Sequence, residues 1–526
     1  MKKKSFIVSL AGAALLLCTI PSCMDLDENV YDKVQADKFG KNEAEIASIV
    51  GPAYRSLNQY VPYNFMALSE CAGDMAIVPT RKGGDWYDGG QYRELHMHSW
   101  TANTNVIKSC WNMATKSIST CNLVYDIVKN NTYIGEDLKA RTLAEIRGVR
   151  AIWLYIMMDN WGNIPLTTDF NDTSLPGVTP RKEVYRFILS ELNDIKDQVR
   201  SEVSSATYGT FTRGAAYALL AKMYLNAEAW GVDSPRWQEA ADACDEVMKL
   251  GYVIEPSWST NFAVNNDASK EAIFPICFSA NDQDINKTDY RNRLFAWTLH
   301  YKDNLTLGLK VTGDNGVCAQ PDYVKLFDDA DQRKNGSFLL GEMIDPSTGK
   351  VIMTAHDRPL IHTADVTIIP GTERDGTAWG DVNQEDGGRA IKWPFDKSTV
   401  DGIENDFALF RLADIYLMKA ECLVRLGKDN AEATRLVNEI RERGFGDADH
   451  NYAAVTLDEI ALERKLELAW ECYSRQDCIR FGTFQNARFL KPSTKGEDYK
   501  NLFPIPQDAW QTNQNLKQNP GYPDFG

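Results

Sequence analysis

Beyond residue 20 the chain has no run of eighteen or more apolar residues, so nothing after that point reads as a membrane-spanning helix. It has no HExxH, no GxSxG, no Walker A loop and no dinucleotide-binding GxGxxG, which leaves catalysis without a positive signal. Positive charge is also short: 57 Lys and Arg face 73 Asp and Glu, a net −16 that makes nucleic acid and anionic membrane surfaces poor partners. Histidine is scarce, with 6 in 526 residues, and no Cys/His cluster or CxxC points to metal or redox work. No cofactor and no metal are expected.

What is present begins with Lys2, Lys3 and Lys4, followed by an apolar stretch from Phe6 to Ile20, the pattern of a secretory signal over residues 1–22. It runs into Ile20-Pro21-Ser22-Cys23, which resembles the bacterial lipobox, so Cys23 is the expected acylation (palmitate-type) site. One acyl chain holds a protein only marginally, and several together give stable retention. Residues 23–41 then read as a tether, in which Met24-Asp25-Leu26-Asp27-Glu28 resembles the acidic tags that send some bacterial lipoproteins to the outer face of the outer membrane. Of eleven cysteines, Cys18 would leave with the signal and Cys23 would carry lipid, and the remaining nine cannot all pair internally. If Cys110 and Cys121 share one helix, the rise puts them roughly 16 Å apart, beyond bridging distance. The same reasoning separates Cys472 from Cys478.

Helical periodicity fills residues 42–250 and returns over 406–482, the start of a C-terminal region 406–526 that ends in a tail, around an Asp-, Asn-, Gly- and Pro-rich middle, 251–405, that reads as loops and short strands such as Ala272 to Phe278. In the first block Ala216, Leu219, Leu220 and Met223 make an apolar face, and a second helix follows the breakers Gly231 and Pro235. In the second block Ala413, Tyr416, Leu417, Ala420 and Val424 do the same before Gly427, with a helix from Asn430 after it. Two such hairpins resemble a tetratricopeptide repeat. Thr456 and Glu459 form a capping box for a further helix carrying Leu462, Leu466, Ala469, Trp470 and Tyr473, stopped by Gly482. The expected class is mostly α, a tetratricopeptide-like helix-pair scaffold with an irregular insertion.

Four segments now share a pattern: Glu145-Ile-Arg-Gly-Val-Arg-Ala151 with Asn160-Trp-Gly-Asn-Ile-Pro-Leu166; Thr212-Arg-Gly-Ala-Ala-Tyr-Ala-Leu-Leu-Ala221; Arg411-Leu-Ala-Asp-Ile-Tyr-Leu-Met-Lys-Ala-Glu421 with Val437-Asn-Glu-Ile-Arg441; and Glu463-Arg-Lys-Leu-Glu-Leu468 with Asp477-Cys-Ile-Arg-Phe-Gly482 and Leu502-Phe-Pro-Ile-Pro-Gln507. In this order, behind a lipobox, they resemble the SusD/RagB family of outer-membrane glycan-binding lipoproteins. The resemblance implies a non-enzymatic surface protein that captures oligosaccharides and presents them to a TonB-dependent, SusC-like transporter. The charged residues Glu463, Arg464, Glu467, Arg475 and Arg480 read more simply as a network between helices.

Sugar rings offer an apolar C–H face edged by hydroxyls, so a glycan site wants an aromatic platform with carboxylates, amides or Arg close by. Pro79-Thr-Arg-Lys-Gly-Gly-Asp-Trp-Tyr-Asp-Gly-Gly90 is too rich in glycine and charge for a core. Trp86 and Tyr87, with Arg81, Asp85 and Asp88, fit the need. A Trp86 that only pins the loop to the helical body would satisfy the same pattern. A second set is Tyr290, Arg291, Arg293, Trp297 and Tyr301, joined by Arg389 and Trp393, with Trp297 equally readable as a core-facing strand residue. His96-Met97-His98 would place two imidazoles on one face of a strand, without a third ligand nearby. Two facing carboxylates would suffice for a glycosidase, and 73 acidic residues leave a surface glycoside hydrolase as the alternative, beside a peptide-capturing or structural subunit of the transporter.

Overall fold

The computed structural model describes residues 39–279, 294–398 and 402–525. The signal segment, Cys23 and its tether up to residue 38, and Tyr290 with Arg291 and Arg293, lie outside them. The α-helices are α1 (Glu43–Tyr60), α2 (Gln91–Met97), α3 (Asn105–Asn130), α4 (Glu136–Trp161), α5 (Arg181–Ile195), α6 (Arg213–Leu225) and α7 (Trp237–Met248). Short helices α8 (Leu294–Thr298), α9 (Asp303–Leu307), α10 (Pro321–Val324) and α11 (Gln332–Ser337) follow in the middle region. After them come α12 (Leu412–Arg425), α13 (Asn430–Phe445), α14 (Leu457–Leu468), α15 (Ser474–Arg480) and α16 (Gln507–Thr512). Among the described residues no helix is long and apolar enough to cross a membrane.

Local chemistry sets the helix ends. Asn42, Thr212, Asp429 and Thr456 each turn a side-chain oxygen onto an otherwise orphaned first-turn N–H of α1, α6, α13 and α14, and Glu459 completes a capping box by accepting from the Thr456 N–H at 2.6 Å. The helices stack in sequence: α3 on α4, α4 on α5, α5 on α6, α6 on α7, then α7 directly on α12, and α12 on α13 and α14. The two repeat-like hairpins are therefore neighbours in space although the whole middle region separates them along the chain. Because α6 lies between α5, α7 and α12, it is buried on nearly every side rather than along one face, and its small residues Ala215, Ala216, Ala218 and Ala221 let these neighbours approach.

The middle region is built from short helices and two-stranded pairings. Its longest strand, Ala272–Ile276, pairs antiparallel with Phe407–Arg411, which leads straight into α12. The apolar run at 366–369 supplies only the bridge Ile368 to Val382.

Three expectations about local structure are corrected. The helix capped at Thr456 ends at Leu468, because Trp470 and Cys472 take left-handed backbone at φ 67°. That break turns Trp470 into the core, where its Nε1 donates to Ser337 O at 3.2 Å, and turns Glu471 toward Arg411 and Lys392. His96 lies on α2 and His98 caps it in left-handed backbone, so neither sits on a strand. Trp297 is helical, on α8. Cys472 precedes α15, so helical rise does not explain its separation from Cys478, but all nine described cysteines are free thiols, eight of them buried.

The charged residues of the C-terminal motifs form a buried network. Arg411 bonds Glu271 at 2.8 Å, Glu467 at 2.6 Å and Glu471 at 2.6 Å, while Arg333 bonds Asp331, Glu463 and Glu467. Every side chain in these pairs is 0–1 % exposed. Burial alone would neutralise Glu467, but Arg443, Arg411 and Arg333 outweigh it and hold its carboxyl at about 2. A second set joins Arg464 to Asp414 and Asp477, Lys222 to Asp414, Arg480 to Glu421 and Arg475 to Asp159. The first set fastens the middle region to the strand Phe407–Arg411 and to α14. The second ties α4 and α6 to α12, α14 and α15.

Candidate functional site

The glycine-rich stretch 81–90 is a surface loop clamped at its base. Arg81 N–H donates to Asp85 O at 2.8 Å and Lys82 N–H to Val382 O at 2.7 Å. Within it Gly83, Gly84, Gly89 and Gly90 have positive φ, and so do Trp86 (62°) and Asp88 (44°). Glycine adopts such backbone freely, whereas a tryptophan there is strained by about 1–3 kcal/mol and keeps the conformation only where its surroundings enforce it.

Those surroundings are visible. The Trp86 Nε1 donates to Asp314 O at 2.6 Å, and its ring lies 6.0 Å from Tyr92 and 6.5 Å from Trp297. Gly316 passes between the two indoles, where a Cβ would come within 2.7 Å of Trp86 and 2.8 Å of Trp297, so only glycine fits. Tyr63 sits on the π-helical turn Val61–Phe65 after α1, lies tilted against Trp297 with ring centres 4.6 Å apart, shares a 2.7 Å hydroxyl contact with Tyr92, and stays 37 % exposed. Trp86 is half-buried: it pins the loop and also leaves part of its ring in water.

The polar rim surrounds these rings. Asp85 is exposed and accepts from the Tyr301 hydroxyl at 2.7 Å, which helps push that phenol's pKa up, after burial. Tyr87 is half-buried, with the Arg374 and Arg93 guanidiniums 5.3 and 5.9 Å from its ring. His356 contacts Lys82 O at 3.3 Å from a loop of the middle region. The surface thus offers two partly exposed rings, Trp86 and Tyr63, with carboxylate, hydroxyl, imidazole and ammonium groups within the same rim. That can receive a flat apolar face and bond hydroxyls around it.

Four expected contact residues lie inside the protein instead. Arg81 is 0 % exposed and donates to the backbone oxygens of Asn315, Gly316 and Asp386 at 2.8–3.0 Å, bracing the loop from beneath. Trp297 is 2 % exposed and forms the floor under Tyr63 and Trp86. Arg389 is fully buried against Thr298 O and Gln384 O, where burial pushes its pKa down to about 9. Trp393 stacks on Phe407 at 5.3 Å, far along the chain from the loop and inside the core. These four support and pack. Tyr63, Tyr92 and His356 were not singled out by the sequence: Tyr63 and Tyr92 fall in helical segments, and His356 is a lone histidine with no motif around it.

His96 and His98 are both buried, His96 Nε2 on Phe489 O and His98 Nε2 on Ala72 O with Arg488 beside it at 3.1 Å, and burial pushes His96 down to about 3. No group of three or more potential metal ligands occurs among the described residues.

Residues 381–522 match the SusD family, and residues 26–225 match a family described as "Starch-binding associating with outer membrane". Among curated proteins, the starch-binding protein SusD of Bacteroides thetaiotaomicron is 26% identical over 444 residues, covering 76% of this chain and 77% of its own. SusD-like protein P25 of Formosa agariphila is 23% identical over 524 residues, covering 94% and 88%. Among solved structures, a laminarin-binding SusD-like protein shares the fold with a TM-score of 0.73 at 22% identity, covering 92% of this chain and 100% of the other. The surface glycan-binding protein A of Bacteroides fluxus gives 0.70 at 20% identity, covering 92% and 100%. The architecture is thus the mostly helical one of SusD-like proteins. The chain belongs to the SusD/RagB family.

Proposed function

We propose that the protein captures oligosaccharides at the cell surface, held to the outer membrane through lipid on Cys23, and hands them to a TonB-dependent, SusC-like transporter without cleaving them. The observation that carries this reading is the Trp86 loop: six positive-φ residues between 83 and 90 hold an indole at the surface above Trp297, beside Tyr63, Asp85 and Tyr301. The strain falls on the two of these six that are not glycine, Trp86 and Asp88, and strain of that kind clusters at functional sites. Relatives named for starch and laminarin binding support the ligand class. The acidic body and the N-terminal lipobox-like segment support a tethered surface protein rather than an embedded one.

Electrophoresis through gels containing a panel of polysaccharides, with a reducing-end assay on the same mixtures, tests it. Retardation without new reducing ends is the expected result. Turnover would make the protein a hydrolase. Absence of retardation on every polymer, with a transporter still co-purifying, would favour a peptide-capturing or structural subunit.

A further inference from the structure

The rim around Trp86 carries charge of both signs, and its pairing bears on which sugars the loop can take. Arg81 is buried beneath the loop on backbone oxygens, and the guanidiniums that reach the surface of the loop or its neighbours are matched to carboxylates: Arg93 to Asp375 at 2.6 Å, Arg374 to Asp381 at 2.6 Å, and Arg358 to Glu385. Arg93 and Arg374 also lie against the Tyr87 ring, so their charge is shared between that ring and their own carboxylates. Lys302 donates to Met353 O at 2.6 Å. Beside Lys82 and Lys302 stand the exposed carboxylates Asp85 and Asp88. The whole chain adds a net −16.

Sites that hold anionic groups by paired, charge-assisted bonds do so with free guanidiniums, which a lysine's point charge does not replace. Among the described residues this rim offers none without a carboxylate partner. A uronic acid or sulfate brought to Trp86 would meet like charge from Asp85 and Asp88 and would have to displace Asp375 or Asp381 to reach an arginine. A neutral sugar meets the reverse situation, because its hydroxyls donate well to carboxylate oxygens and its C–H face lies on the rings. Building on the reading of this loop as the sugar-capturing site, we propose that it takes uncharged glycans and rejects polyanionic ones, with Asp85 and Asp88 as the charges that set this preference.

The test pairs neutral polysaccharides with their C6-carboxylated forms, which keep backbone and linkage, in affinity electrophoresis at low and high salt. Wild type and Asp88→Asn are compared, since asparagine tolerates left-handed backbone. The neutral member of a retained pair is expected to bind at least about tenfold more tightly. Salt at about 0.5 M, which shortens the screening length, and Asp88→Asn are each expected to narrow that gap. Equal or tighter binding of the carboxylated polymer would overturn the preference while leaving sugar capture standing. A gap indifferent to both salt and Asp88→Asn would show that charge does not set it, with the same consequence. Failure of every polymer, neutral or charged, would remove sugar capture and this inference with it.

Discussion

Arg411 bonds Glu467 at 2.6 Å beneath the C-terminal helices, and Arg374 bonds Asp381 at the same 2.6 Å beside the Trp86 loop. Neither distance nor residue type separates them. Burial does: the first pair is wholly enclosed, whereas the Arg374 side chain is 37% exposed. An enclosed charge that loses its partner is left in a medium that solvates it poorly, and breaking such a pair typically costs about 3–5 kcal/mol. At the surface, water and ions take over most of a lost partner's role. The same alphabet of Arg, Asp, Glu and aromatic rings therefore fixes the scaffold in one region and, in the other, stays open to a ligand.

The largest effect that would sharpen this contrast is Arg411→Ala, which leaves Glu271, Glu467 and Glu471 without a shared cation. Urea unfolding should show a loss of about 3–5 kcal/mol; a loss within about 0.5 kcal/mol would erase the distinction between the regions.

Acid should act on the same place. Glu467 is held at about 2 in the folded protein against about 4.3 unfolded, so its contribution is fully present above the unfolded value and is lost as pH falls through about 2. Asp477, likewise at about 2 where Arg464 and Arg480 outweigh its burial, acts with it. Unfolding free energies from urea titrations at pH 5 down to 2 should fall steadily, by an amount on the order of a few kcal/mol, and the fall should shrink in Arg411→Ala. An unfolding free energy insensitive to pH over that window would mean these carboxylates are not held by their cations.

In the loop the expected change is in binding more than in folding. Trp86→Ala should weaken retention of a bound glycan at least about tenfold, close to 1.4 kcal/mol, while the far-UV spectrum stays that of the wild type. The smallest effect belongs to Arg435, on the outer face of α13 with Glu432 and Glu439 at 2.8 Å and half its side chain exposed. Arg435→Ala should cost about 0.5 kcal/mol or less, vanishing at high salt; a cost near that of Arg411→Ala would contradict the role given to burial.

Much of the scaffold was legible because its signals are local. The Thr456–Glu459 capping box and the alanine-rich α6 are read within one or two helical turns. The stacking of α7 on α12 was visible only as faint self-similarity. What escaped depends on partners far along the chain: Arg81 is buried because backbone oxygens 234, 235 and 305 residues away surround it, and nothing in its own loop announces them. Trp297 and Trp393 are as aromatic as Trp86, and only the packing of distant segments decides which ring reaches water. The helix break at Trp470 and Cys472 was hidden for a related reason, since the pull comes from Ser337, Arg411 and Lys392 rather than from a glycine or proline nearby.

The most direct measurement is a crystal structure of the protein with an oligosaccharide drawn from a polymer that it retains. A pyranose ring lying within about 4 Å of the Trp86 indole, its hydroxyls bonded to Asp85 or Tyr301, is the predicted result. A sugar seated on another face, with the 81–90 loop untouched, would contradict the account.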